Sequence, residues 1–357
     1  MNSINNSNLP PIVIENGSFF TRCGFVGEDN PNNIYRTNLL HSKTQFTQNF
    51  QKLYINPSSY YVVILKDTGT SNEEISEEAD ILFNDFNIKA CAFGNSQTAI
   101  LSNWAHGYNG LIIDIGYKNS ICAPIINGKP RMDLFENLII AGKTIENHIL
   151  EDLKAENDSI SNDVIQRNRE QILSYLKKKH YYFECQKGDF EYQDIKKRKL
   201  KKFFELNDEI VGKIDINLPE PILPEDLLLK NQDANSISLT DLVIKVVNNC
   251  LLDIGAKKLE RIIFCGGGSQ VLGLRSFLIH QILKSTDLQK SIEKYEVGIK
   301  NVPPKESIIS SWLGGSILFS SSYSKKFFIS KQNYTNKNRT INFIDEELAA
   351  GIKNHKI

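Results

Sequence analysis

The sequence predicts an α/β fold, because short apolar strands alternate with helical segments along most of its 357 residues. The run "GLIIDIG" at 110–116 is continuous and apolar, which is typical of a strand buried on both faces of a sheet. Hydrophobic residues make up 41% of the chain, which is enough for substantial cores and argues against general disorder. A chain of this length predicts one large domain or two to three smaller ones.

The order of the elements follows from periodicity and from glycine and proline punctuation. Strand patterns occur at 12–15, 60–65, 110–116 and 261–265. Helical spacing predicts helices at 73–87, 96–107, 238–254 and 274–284, with Gly107 ending the second. Residues 1–10 are rich in Asn and Ser and are predicted to be a disordered tail.

The middle of the chain differs in composition. Residues 142–237 are richer in charge and predict a mostly helical insertion that ends in a Pro-rich linker, with basic runs at 176–180 and 196–202. The second run, "KKRKLKK", is typical of a solvated face, and it also fits a nuclear localisation signal or a patch for an acidic partner. The sequence leaves these three alternatives open.

Overall charge and cysteine usage exclude several function classes. Lys and Arg number 42, and so do Asp and Glu, so the net charge of zero gives no general reason to bind nucleic acid or an anionic membrane. The six cysteines form no C-x-x-C pair and no zinc-like cluster, which favours a reducing compartment. No signal-peptide pattern or membrane-length apolar run occurs. We expect a cytoplasmic protein without direct nucleic-acid or membrane contact.

Three glycine turns follow predicted strands. Glycine lets the backbone approach a phosphate closely and point several N–H groups at it. A strand–glycine–strand turn is also the ordinary form of a hairpin, so each turn alone has a simple structural explanation. The three turns are Asn16-Gly17-Ser18, Asp114-Ile115-Gly116 and Gly266-Gly267-Gly268.

Two of these turns carry an acid at the end of their strand, Glu15 and Asp114. A carboxylate beside a phosphate turn can hold Mg²⁺ through water. The alternative is that each acid caps its own turn through hydrogen bonds to the backbone.

The order of these features resembles the actin superfamily from about Ile12 to Tyr334. "REQILSYLKKK" (169–179) is similar to the helix that flanks the adenine, and "IIFCGGGSQVLG" (262–273) is similar to the adenosine motif. The most specific match is "PPKESIISSWLGGSILFSSSYSKKFFISKQNY" (303–334), which follows the C-terminal segment of actin. The resemblance implies an actin/Hsp70/hexokinase-like fold, with two α/β halves around a nucleotide cleft.

The resemblance also implies domains and site residues. Residues 11–107 with 309–357 would form the first half, 108–141 with 238–308 the second half, and 142–237 an inserted helical subdomain.

Residues implied to bind phosphate are Gly17, Ser18, Arg22, Asp114 and Gly116. Residues implied to bind adenosine are Gly266, Gly267, Gly268 and Lys177. Glu15 and Asp114 would hold Mg²⁺ through water, so the implied cofactor is ATP or ADP with Mg²⁺, in a structural role. A side chain at Gly267 would meet the nucleotide or the strand beneath.

Several positions depart from the family pattern in ways that concern chemistry. Phe19 stands where the first loop has its last Gly, and Tyr117 stands where the second loop has an acid. Ile121 stands where the family has its catalytic His, and the position of the water-orienting Gln is left open, with Gln97 as a candidate. Hydrolysis needs a water held in line and a path for its proton. The sequence therefore predicts a non-enzymatic protein with no catalytic residue.

A further departure concerns shape. Residues 37–59 are too few for the small subdomain that actin has at its pointed end, so they predict a loop or a short helix. A chain lacking this piece could dock on a filament through its opposite face, including 312–334, and offer the next subunit a poor surface.

The missing subdomain and "GLIIDIGY" are similar to the dynactin pointed-end subfamily, actin-related protein 10. That similarity implies a cytoskeletal cap that supports dynein and microtubule-based transport, with filament subunits and other pointed-end complex proteins as partners. The alternatives are a nuclear actin-related subunit of a chromatin-remodelling complex and a weak ATPase of the actin/Hsp70 class.

Overall fold

The computed structural model describes most of the chain. Residues 1–8, Gly107 and the end of the chain lie outside the described residues, so the predicted disordered tail and the end of the second helix are not described. The described ranges are 9–37, 41–104, 108–189, 191–223, 237–255, 259, 261–285, 290, 298–301 and 304–336.

Two six-stranded sheets organise the molecule, and the first combines a hairpin with parallel strands. Its strands are β1 (Ile12–Asn16), β2 (Phe20–Phe25), β3 (Asn33–Arg36), β4 (Tyr61–Lys66), β5 (Ala90–Asn95) and β14 (Ile329–Ser330). Their order is β14-β5-β4-β1-β2-β3. The first turn joins β1 and β2 as an antiparallel hairpin, while β1 pairs in parallel with β4 and β4 with β5.

Helices cover both faces of this sheet. They are α1 (Ser42–Lys52), α2 (Asn72–Asn84), α3 (Ser96–Trp104), α11 (Ser310–Ser320) and α12 (Lys331–Asn336). Ser71 caps α2 by accepting a hydrogen bond from the backbone N–H of Glu74. Trp312 of α11 is fully buried, and its indole N–H donates to the carbonyl of Val13 at 3.1 Å. The C-terminal segment is therefore part of the core of the first half.

The second sheet lies in the other half. Its strands are β6 (Gly110–Ile115), β7 (Ser120–Ile126), β8 (Lys129–Pro130), β9 (Glu136–Leu138), β12 (Arg261–Cys265) and β13 (Gly298–Asn301). The order is β13-β12-β6-β7-β8, with β9 paired to β7. The associated helices are α8 (Leu239–Asp253), α9 (Leu274–Ser285) and α10 (Pro304–Ser307).

The insertion contains helices and also a hairpin that the sequence analysis did not predict. The helices are α4 (Gly142–Ala155), α5 (Asn162–Arg167), α6 (Arg169–Lys179) and α7 (Tyr192–Lys196). The hairpin pairs β10 (Phe203–Asp208) with β11 (Gly212–Asn217). Leu206 and Ile216 point into the core from alternate positions, so the hairpin has one buried face.

The connection between β3 and β4 confirms the prediction of a loop or short helix. Within its described residues it forms α1 and a single 3-10 turn at Pro57–Ser59. Phe46 is fully buried and Phe50 is 3% exposed, and both pack in the core of the first half. The connection is therefore folded onto the body of the first half.

The predicted strands and helices are confirmed within one to three residues at their described ends. Among the helices of the described chain, none is both long enough and apolar enough to span a membrane.

Candidate functional site

The second and third turns meet at the ends of parallel strands β6 and β12. A Cβ atom on Gly266 would lie 2.3 Å from Oδ1 of Asp114, and one on Gly268 would lie 2.6 Å from the carbonyl oxygen of Gly116. Gly266 also has a φ of +86°, a conformation that favours glycine. Glycine is therefore required at both positions by contact with the second turn.

The first turn reaches the second from the opposite half. The backbone N–H of Lys118 lies 3.4 Å from Oγ of Ser18. The N–H of Gly17 donates to the carbonyl of Phe20 at 3.1 Å, and the N–H of Gly116 donates to the carbonyl of Asn119 at 2.9 Å. The structure thus brings the three predicted turns together, with several of their polar groups hydrogen-bonded within the protein.

Three carboxylates share this region, and one of them was missed by the sequence analysis. Glu15 forms an ion pair with Arg22 at 3.1 Å, and both side chains are largely buried. Asp67 follows β4, and its carboxylate lies close enough to Asp114 to repel it electrostatically, as Glu15 also does. The signal for Asp67 was present, because the sequence Asp67-Thr68-Gly69 repeats the pattern of a strand, an acid and a glycine.

Burial and mutual repulsion shift the pKa values of these acids. Burial, together with the negative charges of Asp67 and Glu15, raises the pKa of Asp114 to about 7. Burial also raises the pKa of Glu15, against the opposing effect of Arg22, and the pKa of Asp67. The site is therefore rich in negative charge that the protein stabilises incompletely.

Gln97 is the residue that holds two of the acids together. Its side-chain oxygen accepts from the backbone N–H of Thr68 at 2.8 Å and from the hydroxyl of Thr68 at 2.9 Å. Its side-chain nitrogen donates to Asp67 at 3.2 Å and to Asp114 at 3.3 Å. These four bonds use the full hydrogen-bonding capacity of an amide, so this Gln97 conformation has no group to spare for orienting water.

Ile121 faces the apolar core. It pairs with Asp114 across β6 and β7, is 4% exposed, and packs with a cluster that includes Ile112, Ala123 and Ile263. An alkyl side chain accepts no proton, so this position supplies no general base.

The same carboxylates are the candidate ligands for a metal ion. Oε2 of Glu15 is buried and lies away from Arg22, which contacts Oε1, so it is the type of oxygen that a hydrated cation could satisfy. Within the described chain, no group of three or more His, Cys, Asp or Glu is arranged to hold a metal ion directly. Water-mediated Mg²⁺ at Glu15 and Asp114 stays a prediction.

The residues predicted to bind adenosine differ in how accessible they are to a ligand. A Cβ on Gly267 would meet nothing within 4 Å, so of the two expected contacts the one with the strand beneath is excluded, and contact with a nucleotide in this open space stays a prediction. The amine of Lys177 forms an ion pair with buried Glu146 at 2.5 Å, so it is already engaged. A role of Lys177 toward adenosine stays a prediction.

Aromatic rings occupy the region between the first two turns. The rings of Phe19 and Tyr117 lie 4.6 Å apart, and the guanidinium of Arg36 lies 4.6 Å from the Phe19 ring. The hydroxyl of Tyr117 donates to Glu146 at 3.2 Å. Phosphates need convergent donors in this region, and the rings present none. The residues present do not fit a triphosphate in this arrangement.

Comparison with protein families agrees with the two-halved fold and the converging turns. Residues 41–343 match the family model described as Actin, and this match covers most of the chain. The chain belongs to the actin family and is an actin-related protein with the two-lobed α/β fold of the actin/Hsp70/hexokinase class.

Proposed function

We propose that this chain is a non-enzymatic structural subunit that caps the pointed end of a short actin-like filament, as in dynactin. The observation that carries the proposal is the connection between β3 and β4. It is folded onto the first half through buried Phe46 and Phe50, instead of projecting as a separate subdomain. Open filaments need complementary faces at both ends of each subunit, so loss of one projecting face leaves a subunit that ends growth.

The lack of turnover is supported by side chains in the cleft. Ile121 packs among apolar residues, and the amide of Gln97 is fully hydrogen-bonded to the protein. The cleft therefore lacks the usual side chains that position the attacking water and remove its proton. ATP or ADP with Mg²⁺ would have only a structural role, and the contact between the Phe19 and Tyr117 rings opposes its entry into this arrangement.

The opposite face would contact the last subunit of the filament. Trp312 and Tyr334 lie in the core and are excluded as contact residues, being 0% and 2% exposed. Lys331 donates to the carbonyl of Phe83 at 3.0 Å, which fixes α12 against α2. Lys325 is exposed and is a candidate contact that would mainly affect the rate of association.

One observation favours a second candidate function, a nuclear actin-related subunit of a chromatin-remodelling complex. Lys196, Lys197 and Lys199 are exposed, as an import signal requires. Arg198 in the same run has a structural role, because it donates to the backbone carbonyls of Tyr181 and Lys178 near the end of α6. The run is therefore partly explained by the fold.

Purification of the tagged full chain with its native partners separates the two functions. The capping proposal predicts recovery of filament-forming actin-related subunits and pointed-end complex proteins from cytoplasm. Recovery of chromatin-remodelling subunits from nuclei would contradict it. A variant with Lys199, Lys201 and Lys202 changed to Ser should retain its partners under the capping proposal.

A further inference from the structure

The two halves of this protein are joined across the cleft by side chains as well as by the backbone. Phe19 lies on the first half, in the turn between β1 and β2, and Tyr117 lies on the second half, after β6. Their ring centroids are 4.6 Å apart and the rings are tilted by 55°. This is the separation of an attractive aromatic pair.

The Phe19 side of the contact is held in place by Thr37. The backbone N–H of Thr37 donates to the carbonyl of Phe19 at 2.9 Å, and its hydroxyl donates to the carbonyl of Gly17 at 2.6 Å. Arg36 covers the Phe19 ring and forms an ion pair with Glu170 of α6. The first half therefore contacts Tyr117 of the second half through Phe19, and Glu170 of the insertion through Arg36.

The Tyr117 side is anchored on the insertion. Its hydroxyl donates to Glu146, whose side chain is 3% exposed. Glu146 also accepts hydrogen bonds from Lys177 at 2.5 Å and from Arg169 at 3.5 Å. A buried carboxylate with two cations and one hydroxyl has its charge compensated, so Tyr117 is held on a defined support.

The geometry points to an internal latch, formed by Phe19 and Tyr117, that holds the two halves together without a nucleotide. A nucleotide bridges two halves by giving both a common set of phosphate contacts. Here the direct ring contact provides the bridge, and the nearby N–H of Lys118 faces Ser18. This inference goes beyond the capping function, because it concerns what keeps the subunit closed, whatever its partner.

The latch predicts that a triphosphate is excluded from the cleft, in addition to keeping the two halves closed. With Phe19 and Tyr117 in contact, a triphosphate can enter only by separating the rings and breaking the Ser18–Lys118 contact. The protein should therefore be insensitive to ATP, and Phe19 and Tyr117 are the residues that determine this.

Closure can be measured by cross-linking across the cleft. The exposed side chains of Arg36 and Glu170 meet across the cleft, so Arg36→Cys and Glu170→Cys are introduced together with Cys185→Ser, and the other native cysteines are buried. A short bifunctional thiol reagent should join the two new cysteines equally fast with Mg-ATP and after complete removal of nucleotide. Cross-linking that requires Mg-ATP would overturn the latch, and this comparison needs no further variant.

Phe19→Ala then tests the ring itself. Loss of the aromatic pair should slow nucleotide-free cross-linking by about 2- to 10-fold, because an aromatic contact contributes a factor of this size to the closed state. Tyr117→Phe keeps the ring and should retain most of the rate. Phe203→Ala is the matched control, since Phe203 is 53% exposed on β10 and should leave the rate unchanged.

Thermal unfolding provides the second readout. The unmodified protein should melt within about 1 °C of the same temperature with and without about 1 mM Mg-ATP, as expected for a ligand concentration well below its Kd. A large ATP-dependent rise, or Phe19→Ala cross-linking as fast as the parent, would overturn the proposal. The filament-end assay does not enter this test, so failure of the latch and failure of the capping function are distinguishable.

Discussion

Individual residues in the cleft determine what chemistry the actin-like fold can perform here. Gln97 and Thr68 tie Asp67 and Asp114 into one buried network, and Ile121 adds an apolar wall opposite Asp114. Three acids are thus concentrated where Arg22 forms an ion pair with only one of them. The residues form a buried junction whose negative charge is only partly compensated, and Ile121 supplies no group that could move a proton.

Asp114→Asn tests the charge of this junction. The pKa of Asp114 is raised from 3.8 to about 7 in the folded protein, so between these pH values the folded state holds a proton that the unfolded state has lost. Stability should therefore fall as the pH rises through this window and stay low above it. The replacement amide carries no charge, so we expect the variant to melt about 2–4 °C higher than the parent at pH 8, with a smaller difference at pH 4.

The control for this prediction is Asp133→Asn. Hydrogen bonding to Arg131 lowers the pKa of the exposed Asp133, so its loss should bring no gain in stability at pH 8. A melting temperature of Asp114→Asn equal to or below that of the parent at pH 8 would show that this carboxylate is not destabilising.

The catalytic prediction is that the purified protein does not turn over ATP at the rate of filamentous actin. Ile121 supplies no proton acceptor, and Gln97 is engaged in four hydrogen bonds. A single-turnover assay of phosphate release, with filamentous actin as the positive control, should give the same background for the parent and for Asp114→Asn. Release at the rate of actin would refute the non-enzymatic function.

At the scale of elements, helix α1 is the main element of the connection between β3 and β4. It packs on α2 and places Phe46 and Phe50 in the same core as Phe86. Helix α1 is amphipathic, and its buried face explains why the short connection between β3 and β4 stays on the body of the first half.

Phe46→Ala should destabilise the protein by about 3–5 kcal/mol, because a fully buried aromatic ring leaves a cavity. The melting temperature should fall by roughly 6 °C or more. Tyr54→Ala is the matched control, since Tyr54 follows the same helix but is 95% exposed, and its loss should change stability by less than about 0.5 kcal/mol. Equal effects of the two substitutions would mean that α1 does not pack on the first half.

The elements also show what sequence patterns can and cannot predict. Strand β6 and helix α8 were predictable, because apolar runs and 3.6-residue spacing report burial directly. The hairpin at 203–217 was not predicted because its strands are short and directly follow the lysines of 196–202, although Leu206 and Ile216 occupy alternating buried positions. Asp67 was not predicted as a site residue, although it belongs to a third strand–acid–glycine pattern.

Contacts between residues that are far apart in the sequence could not be predicted from sequence patterns. The bulk of Phe19 and Tyr117 signalled a blocked phosphate loop, but their mutual contact depends on how two halves approach each other. The ion pair of Glu146 with Lys177 likewise joins α4 to α6, and helical spacing gives no information on such pairs.

For the whole molecule, the fold predicts a subunit with one filament face. The isolated protein should remain monomeric at every concentration at which it stays soluble, because the β3–β4 connection lies folded on the first half. Sedimentation velocity and electron microscopy over a range of concentrations check this, with actin under the same salt conditions as the control. Filaments of the isolated protein would contradict the loss of a face.

The most direct test of the capping function is a measurement of growth at each end of single actin-related filaments by fluorescence microscopy. Addition of this protein should stop growth at the pointed end at substoichiometric amounts and leave the opposite end unaffected. Unimpeded growth at the pointed end, with the protein folded and present in excess, would contradict the account.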